Sequence, residues 1–372
     1  MKLRDGWPLV LLLIATACSE GYNGKHVQSV VIEMEQVARL PGPVSNNAVS
    51  AFDFNDTRGL VSFLGLGGGK TWQDIGTSAV LIEILESGDG SSVITLPPVP
   101  VEHGLLAGVA VATSTHVYEF GGYSVAADGS EVSSPQVWQW SAAGYRSRAP
   151  MPVPVDDAVA LVYQDRYLYL VSGWHDHGNV NLVQVYDSHS DRWSQATPYP
   201  GQPVFGHAGG MVGRLLVICD GVGIRYPEDG GARQFEAVSE CWLGEVGPDD
   251  HRRIQWRPLP YHPGLSRYRM AATGTSVHGD RVLFAGGATN PYNFNGIGYN
   301  GEPAEPQAGL FSFDLSSRQW VCHGELRVAT MDHRGLPQLG EDFYIVGGML
   351  SGQQLSDVVW RFRLPAVAGD CQ

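Results

Sequence analysis

Charge is scarce in this sequence: Lys, Arg, Asp and Glu together make 17% of its 372 residues, below the usual quarter. The shortage is greatest on the basic side, with 24 Lys plus Arg against 38 Asp plus Glu and a formal net charge of -14. No basic stripe appears, which removes nucleic acid and anionic membrane surfaces from the candidate partners. No Gly/Ser/Pro-rich linker or charge block divides the chain, and no apolar run reaches the ~20 residues that a helix needs to cross a bilayer. No CxxC or Cys/His metal spacing occurs, so neither a metal nor a cofactor is expected. His175 and His177 flank Asp176, yet no third and fourth ligand accompany them in the sequence.

Turn formers and apolar residues are plentiful. Gly 47, Pro 23 and 43% hydrophobic residues fit many short strands joined by turns, in one all-β body with ample core. The N-terminus carries an address. Lys2 and Arg4 precede an uncharged apolar run from Leu9 to Ile14, and Ala15-Thr16-Ala17-Cys18 follows. A basic start, a short apolar stretch and small residues before a cleavage point describe an export signal. The ending resembles the bacterial lipobox, which implies cleavage before Cys18 and acylation of its thiol. Residues 1–17 are then the signal peptide, 18–29 a polar tether and 30–366 the folded body. By resemblance to bacterial lipoprotein sorting, Ser19 implies retention at the periplasmic face of the outer membrane.

Export to an oxidising compartment makes disulfides admissible. Cys219 ends one expected strand and Cys241 begins the next, so the two face each other if those strands pair around a loop near residue 230. Cys322 and Cys371 form a second possible pair, since spacing alone does not assign connectivity.

Internal repetition decides the architecture. Five segments share one plan, in which a second apolar strand ends at small residues: Glu119-Phe120-Gly121-Gly122, Leu170-Val171-Ser172-Gly173, Ile218-Cys219-Asp220-Gly221, Phe284-Ala285-Gly286-Gly287 and Ile345-Val346-Gly347-Gly348. A degenerate sixth copy, Phe63-Leu64-Gly65-Leu66-Gly67-Gly68, stands in phase ahead of them. Tyr186 with Trp193, and Phe313 with Trp320, span expected hairpin turns at the same spacing. This double glycine followed by a spaced aromatic and Trp resembles the kelch signature. The resemblance implies a six-bladed β-propeller whose small twisted sheets cover one another around an axis. The last repeat lacks a fourth strand, and a spare one lies at the other end, Val30 to Leu40. The N-terminal strand is therefore expected to complete the sixth blade and close the ring.

In propellers of this kind the connections between blades share a face with the loops between second and third strands. The residue starting each innermost strand then points at the axis. Aligning the six starts gives an expected ring of Asn47, His103, Asp157, His207, Arg269 and His333, a polar constellation that suits a ligand pocket. Trp174 and His175 follow one glycine end, and a long loop with Tyr292 and Asn293 follows another. The loop's aromatic and Asn content is the chemistry of sugar recognition, although the same residues also serve the turns of a packed loop. The expected partner is a carbohydrate or an envelope protein bound at this funnel. The alternative follows from a resemblance to the exported kelch proteins known as N-acetylneuraminate epimerases, or sialic acid mutarotases. That resemblance implies sugar ring opening by proton transfer, with Arg269 holding a carboxylate and Glu302 or His207 moving protons. A galactose-oxidase-like copper centre is set aside because no cysteine falls at an expected axial position.

Overall fold

The computed structural model describes residues 30–54, 57–85, 90–227 and 230–366. The lipidation candidate Cys18, the signal and tether segments and Cys371 lie outside the described residues. Six antiparallel sheets, taken in chain order, form the blades of a β-propeller. Blade 3 shows the repeating unit: Val159–Tyr163 innermost, then Tyr167–Val171, Val183–Asp187 and Arg192–Gln195 outward. Alternation along the innermost strand, Val-Ala-Leu-Val-Tyr, buries one face against a neighbouring blade and turns the other toward the axis. The second strand is covered on both faces and reads as an apolar run, Leu168 to Val171 being fully buried.

The spaced aromatics act together. Tyr186 stands directly opposite Trp193 in the blade 3 hairpin, and Phe313 opposite Trp320 in blade 5. Their ring centroids lie 5.1 and 5.0 Å apart. Each indole N–H reaches back to the connection entering its own blade: Trp193 donates to the Ala149 carbonyl at 2.8 Å and Trp320 to the Pro260 carbonyl at 2.7 Å. One repeated residue thus fills the gap between blades and fastens the strap that joins them.

The double glycines sit where neighbouring blades come closest. Gly286 has φ +69°, and a Cβ there would lie 2.3 Å from the Thr330 carbonyl oxygen leading into blade 6. Gly347 meets the Val44 carbonyl leading into blade 1 in the same way, at 2.5 Å. A side chain at either position would push two blades apart.

The ring closes through the N-terminal segment, with one refinement. Glu35–Arg39 pairs antiparallel with Val358–Arg363 and supplies the outermost strand of blade 6. The two residues before it belong elsewhere: Val31 and Ile32 pair parallel with Glu325 and Leu326 of blade 5. The spare strand therefore bridges two blades instead of extending one. Cys219 and Cys241 do face each other, as directly opposed residues of blade 4, and form a disulfide.

Candidate functional site

A ring of six residues surrounds the axis on the loop-bearing face: Asn46, Ala107, Asp157, Gly206, Arg269 and Asp332. All six have φ between 48° and 74°. Backbone amides link them in series. Ala107 donates to Asn46 at 3.1 Å, Asp157 to Ala107 at 3.0 Å, Gly206 to Asp157 at 2.9 Å and Arg269 to Gly206 at 2.7 Å. At blade 6 the pattern shifts: the His333 amide donates to Arg269, and the Asp332 carboxylate accepts the Asn46 amide at 3.0 Å.

Of the residues expected around the axis, the structure places Asp157 and Arg269 in this ring and the others elsewhere. Asn47, His207 and His333 each stand one position too far along, and one step on an extended chain turns the side chain the other way. They point between blades. Asn47 donates to Ser62 Oγ at 2.8 Å, His207 Nε2 lies 2.9 Å from the Val171 carbonyl, and His333 Nε2 lies 2.7 Å from Thr330 Oγ1. Burial lowers both histidines to about 4, which keeps the rings neutral. His103 is exposed in the approach to blade 2, and Ala107 occupies the ring position there.

The polar ring members interlock across the axis with Arg334. Arg269 Nη2 meets Asp157 Oδ2 at 2.6 Å and its Nη1 meets Asp332 Oδ1 at 3.2 Å. Arg334 approaches the same two carboxylates at 2.7 and 2.8 Å and donates to Asn46 Oδ1 at 2.9 Å. Burial opposes the charge on Asp332, but Arg334 and Arg269 hold its carboxyl below the usual value. Two positive and two negative side chains, each at most 2% exposed, plug the centre of the propeller. They cancel one another, so the charge of Arg269 is already matched by protein carboxylates through both of its Nη atoms.

Above the plug is a cavity of about 200 Å³ with Asp157 and Arg269 at its floor. Its walls come from loops of blades 2 to 5. Trp174 and Phe205 meet edge to face at 5.4 Å, and Phe235 stacks on Tyr299 with centroids 4.0 Å apart. Arg233 lies at the rim with its guanidinium 5.0 Å from the Trp174 ring centre and 5.4 Å from that of Phe235. Its hydrogen bond goes to the His177 carbonyl at 3.2 Å. Glu131, exposed at the rim, also lines the cavity, where partial desolvation of its carboxyl raises its pKa against the pull of Arg269 and Arg233. Neither Glu131 nor Arg233 forms an ion pair among the described residues. Asp156 completes the set: it accepts from Ser133 Oγ at 2.7 Å, and burial together with neighbouring Asp157 pushes its carboxyl well above the normal range.

The long loop after Gly287 folds across the axis as a cap. Phe294 packs against Leu66, Leu106 and Tyr123 of blades 1 and 2, while Gly296 abuts Met349 and Gln353 of blade 6. Tyr292 is fully buried, its ring 5.1 Å from Tyr268 and its hydroxyl 3.5 Å from Asp332. It supports the plug and does not line the cavity. Asn293 and Tyr299 do line it, as does Trp174. His175 is half-buried beside Asp176, outside the cavity wall, and Glu302 is exposed with its carbonyl accepting from Asn290 at 3.1 Å.

Of the residues expected at the site, Asp157, Arg269, Trp174 and Asn293 come together. Glu131, Asp156, Arg233, Phe205, Phe235 and Tyr299 were not anticipated. A signal for the ring existed: in blades 1 to 5 the axial residue stands two positions before the first innermost-strand residue, Ala48, Val109, Val159, Ala208 and Ala271. No comparable pattern marks Arg233, which lies on a variable hairpin.

Fold and cavity define a six-bladed β-propeller with a plugged axis and an aromatic funnel pocket. No protein-family model and no curated protein matches the chain. Among solved structures it is similar to that of YjhT, with a TM-score of 0.66 and 14% identity, over 87% of this chain and 95% of that one. At this identity the likeness shows the fold alone.

Proposed function

We propose that this chain is an exported lipoprotein, anchored through Cys18 at the periplasmic face of the outer membrane, whose propeller binds a small glycan ligand in the funnel pocket. The observation that carries the reading is the aromatic wall above a charge-neutral floor. Flat rings offer stacking surfaces for the apolar faces of a sugar, and Arg233, Glu131 and Asn293 offer polar groups around them. The cavity of about 200 Å³ falls below the range of drug-sized sites, which favours a ligand of monosaccharide size over a protein segment. The test is a thermal-shift screen of the purified protein against monosaccharides and an envelope protein fraction. A ligand selective for the folded state stabilises it by ~2.7 kcal/mol at a hundredfold excess over its Kd. A shift with one sugar, lost in Trp174→Ala and kept in Glu302→Ala, supports the pocket; shifts with the protein fraction alone sink it.

A sugar mutarotase or epimerase resembling N-acetylneuraminate epimerase is the second reading. Glu131 and Asp156 favour it: burial raises both carboxyls above their ordinary pKa within one cavity, and a carboxyl that holds its proton more readily is suited to general-acid work. They take the roles first expected of Glu302 and His207. Faster equilibration of freshly dissolved sugar anomers, followed by NMR and lost in Glu131→Gln, is the expected result; an unchanged rate removes the enzyme reading and leaves binding.

A further inference from the structure

The charges facing the pocket do not cancel uniformly. At the floor Arg269 and Arg334 are matched by Asp157 and Asp332. Asp156 is buried, bonded to Ser133 and adjacent to Asp157, an arrangement that disfavours a further negative charge there. What remains is one guanidinium, Arg233, and one carboxylate, Glu131, both lining the cavity and both exposed at its rim. They belong to different hairpins: Glu131 to the second-to-third-strand loop of blade 2 and Arg233 to that of blade 4. Arg233 pulls on the Glu131 carboxyl from across the cavity, but the two form no ion pair among the described residues, so both keep donors and acceptors for a ligand.

Arg233 is also held in place. Its guanidinium lies over the Trp174 and Phe235 rings, and the His177 carbonyl takes one of its N–H groups. An arginine stacked on aromatic faces keeps edge N–H groups free for a ligand carboxylate. Glu131 has no hydrogen-bond partner for its carboxylate among the described residues. The pocket is therefore dipolar, with a positive rim on one side, a negative rim on the other and an aromatic wall between.

We infer that the ligand is a zwitterion of monosaccharide size, seated in the aromatic-walled cavity with its carboxylate met by Arg233 and its ammonium group by Glu131. The inference rests on the reading of this cavity as a ligand site and adds the charge pattern of the ligand. A neutral sugar would leave both rim charges to water. An acidic sugar would satisfy Arg233 but face Glu131 unfavourably, and a purely cationic one would do the reverse.

The test uses four monosaccharides of similar size on the full-length protein purified in detergent, by isothermal titration at low salt. Muramic acid carries both charges, N-acetylmuramic acid the carboxylate alone, glucosamine the ammonium alone and glucose neither. Muramic acid is expected to bind tightest, with each single-charge sugar weaker on the order of tenfold. Glu131→Gln should erase the advantage of muramic over N-acetylmuramic acid, and Arg233→Gln its advantage over glucosamine. Both residues are exposed, so an unchanged Tm is the control for folding. Equal binding of glucose or N-acetylmuramic acid overturns the zwitterion while leaving the pocket as a ligand site. Failure of all four sugars overturns both.

Discussion

The two mouths of the propeller axis are built from different materials. The loop-bearing side opens into the aromatic, charged pocket of about 200 Å³. The other side is a tunnel of about 380 Å³ lined by the innermost strands, with Ala51, Ala110, Ala160, Gly209 and Gly274 along its wall. The plug of Asp157, Arg269, Asp332 and Arg334 separates them. The tunnel wall cannot carry much chemistry because its residues also set the distance between blades. A Cβ at Gly210 would come 2.4 Å from the Gly274 nitrogen, so there the inner strands of blades 4 and 5 touch backbone to backbone. The pocket side is free of that constraint, since its side chains come from hairpins standing above the blades. Larger volume marks the tunnel, whereas diverse chemistry marks the pocket.

The sharpest way to break this contrast is to open the plug. Asp332→Ala leaves Arg269 and Arg334 sharing one carboxylate in a buried site. It is expected to lower stability by roughly 3–5 kcal/mol in urea unfolding. A loss under 1 kcal/mol would mean that water already enters the axis and that the two mouths are one channel.

Acid should act on the packing beside the plug. His207, which borders the tunnel, and His333 both turn their rings between blades, and both are held neutral with pKa lowered to about 4. The unfolded chain protonates them near their ordinary 6.5, so the unfolded state binds more protons between those values. Stability present above pH 6.5 is therefore lost as pH falls toward 4, by on the order of 3 kcal/mol per ring. Replacing both with Gln should flatten the acid limb of a stability-against-pH curve; an unaltered limb would assign it to carboxylates instead.

Blade 4 carries the hairpin of Arg233 above its disulfide. Removing the bond in a Cys219→Ser, Cys241→Ser variant should cost about 2–3 kcal/mol by denaturant unfolding, and should weaken ligand binding if that bond steadies the hairpin. Unchanged binding would show that the hairpin is set by the Trp174 and Phe235 contacts alone. The smallest effects belong to surfaces outside both mouths. Glu302→Ala is expected within about 0.5 kcal/mol of the parent in stability, with no change in ligand affinity. A clear loss of affinity would return the cap loop to the site.

Much of the fold could be read because repetition multiplies a weak signal. One glycine-containing strand end means little, but six in phase, three of them the regular pairs Gly121-Gly122, Gly286-Gly287 and Gly347-Gly348, point to equivalent close approaches around a ring. The Trp193 and Trp320 spacings mark the same hairpin in two blades. A missing last strand with a spare first one leaves antiparallel closure as the way to cover the edge. The refinement at Val31 and Ile32 was hidden, since nothing in two apolar residues tells which blade edge they will meet.

The site was legible only in part, because side-chain direction depends on single-residue register. Asn47, His207 and His333 lie within one position of the axis, yet all three face packed blades. Sequence by itself determined the repeat, the number of blades and the mode of closure, since each follows from local patterns and a requirement to cover strand edges. The pairing of Cys219 with Cys241 was one possibility, settled by the blade 4 strands that oppose them. Tertiary structure alone decided that Arg269 is neutralised by residues 112 and 63 positions away in the chain, and that Arg233 and Glu131 are brought to one rim from separate hairpins. Charges take their meaning from neighbours in space, and a propeller assembles those neighbours from blades that the chain visits far apart.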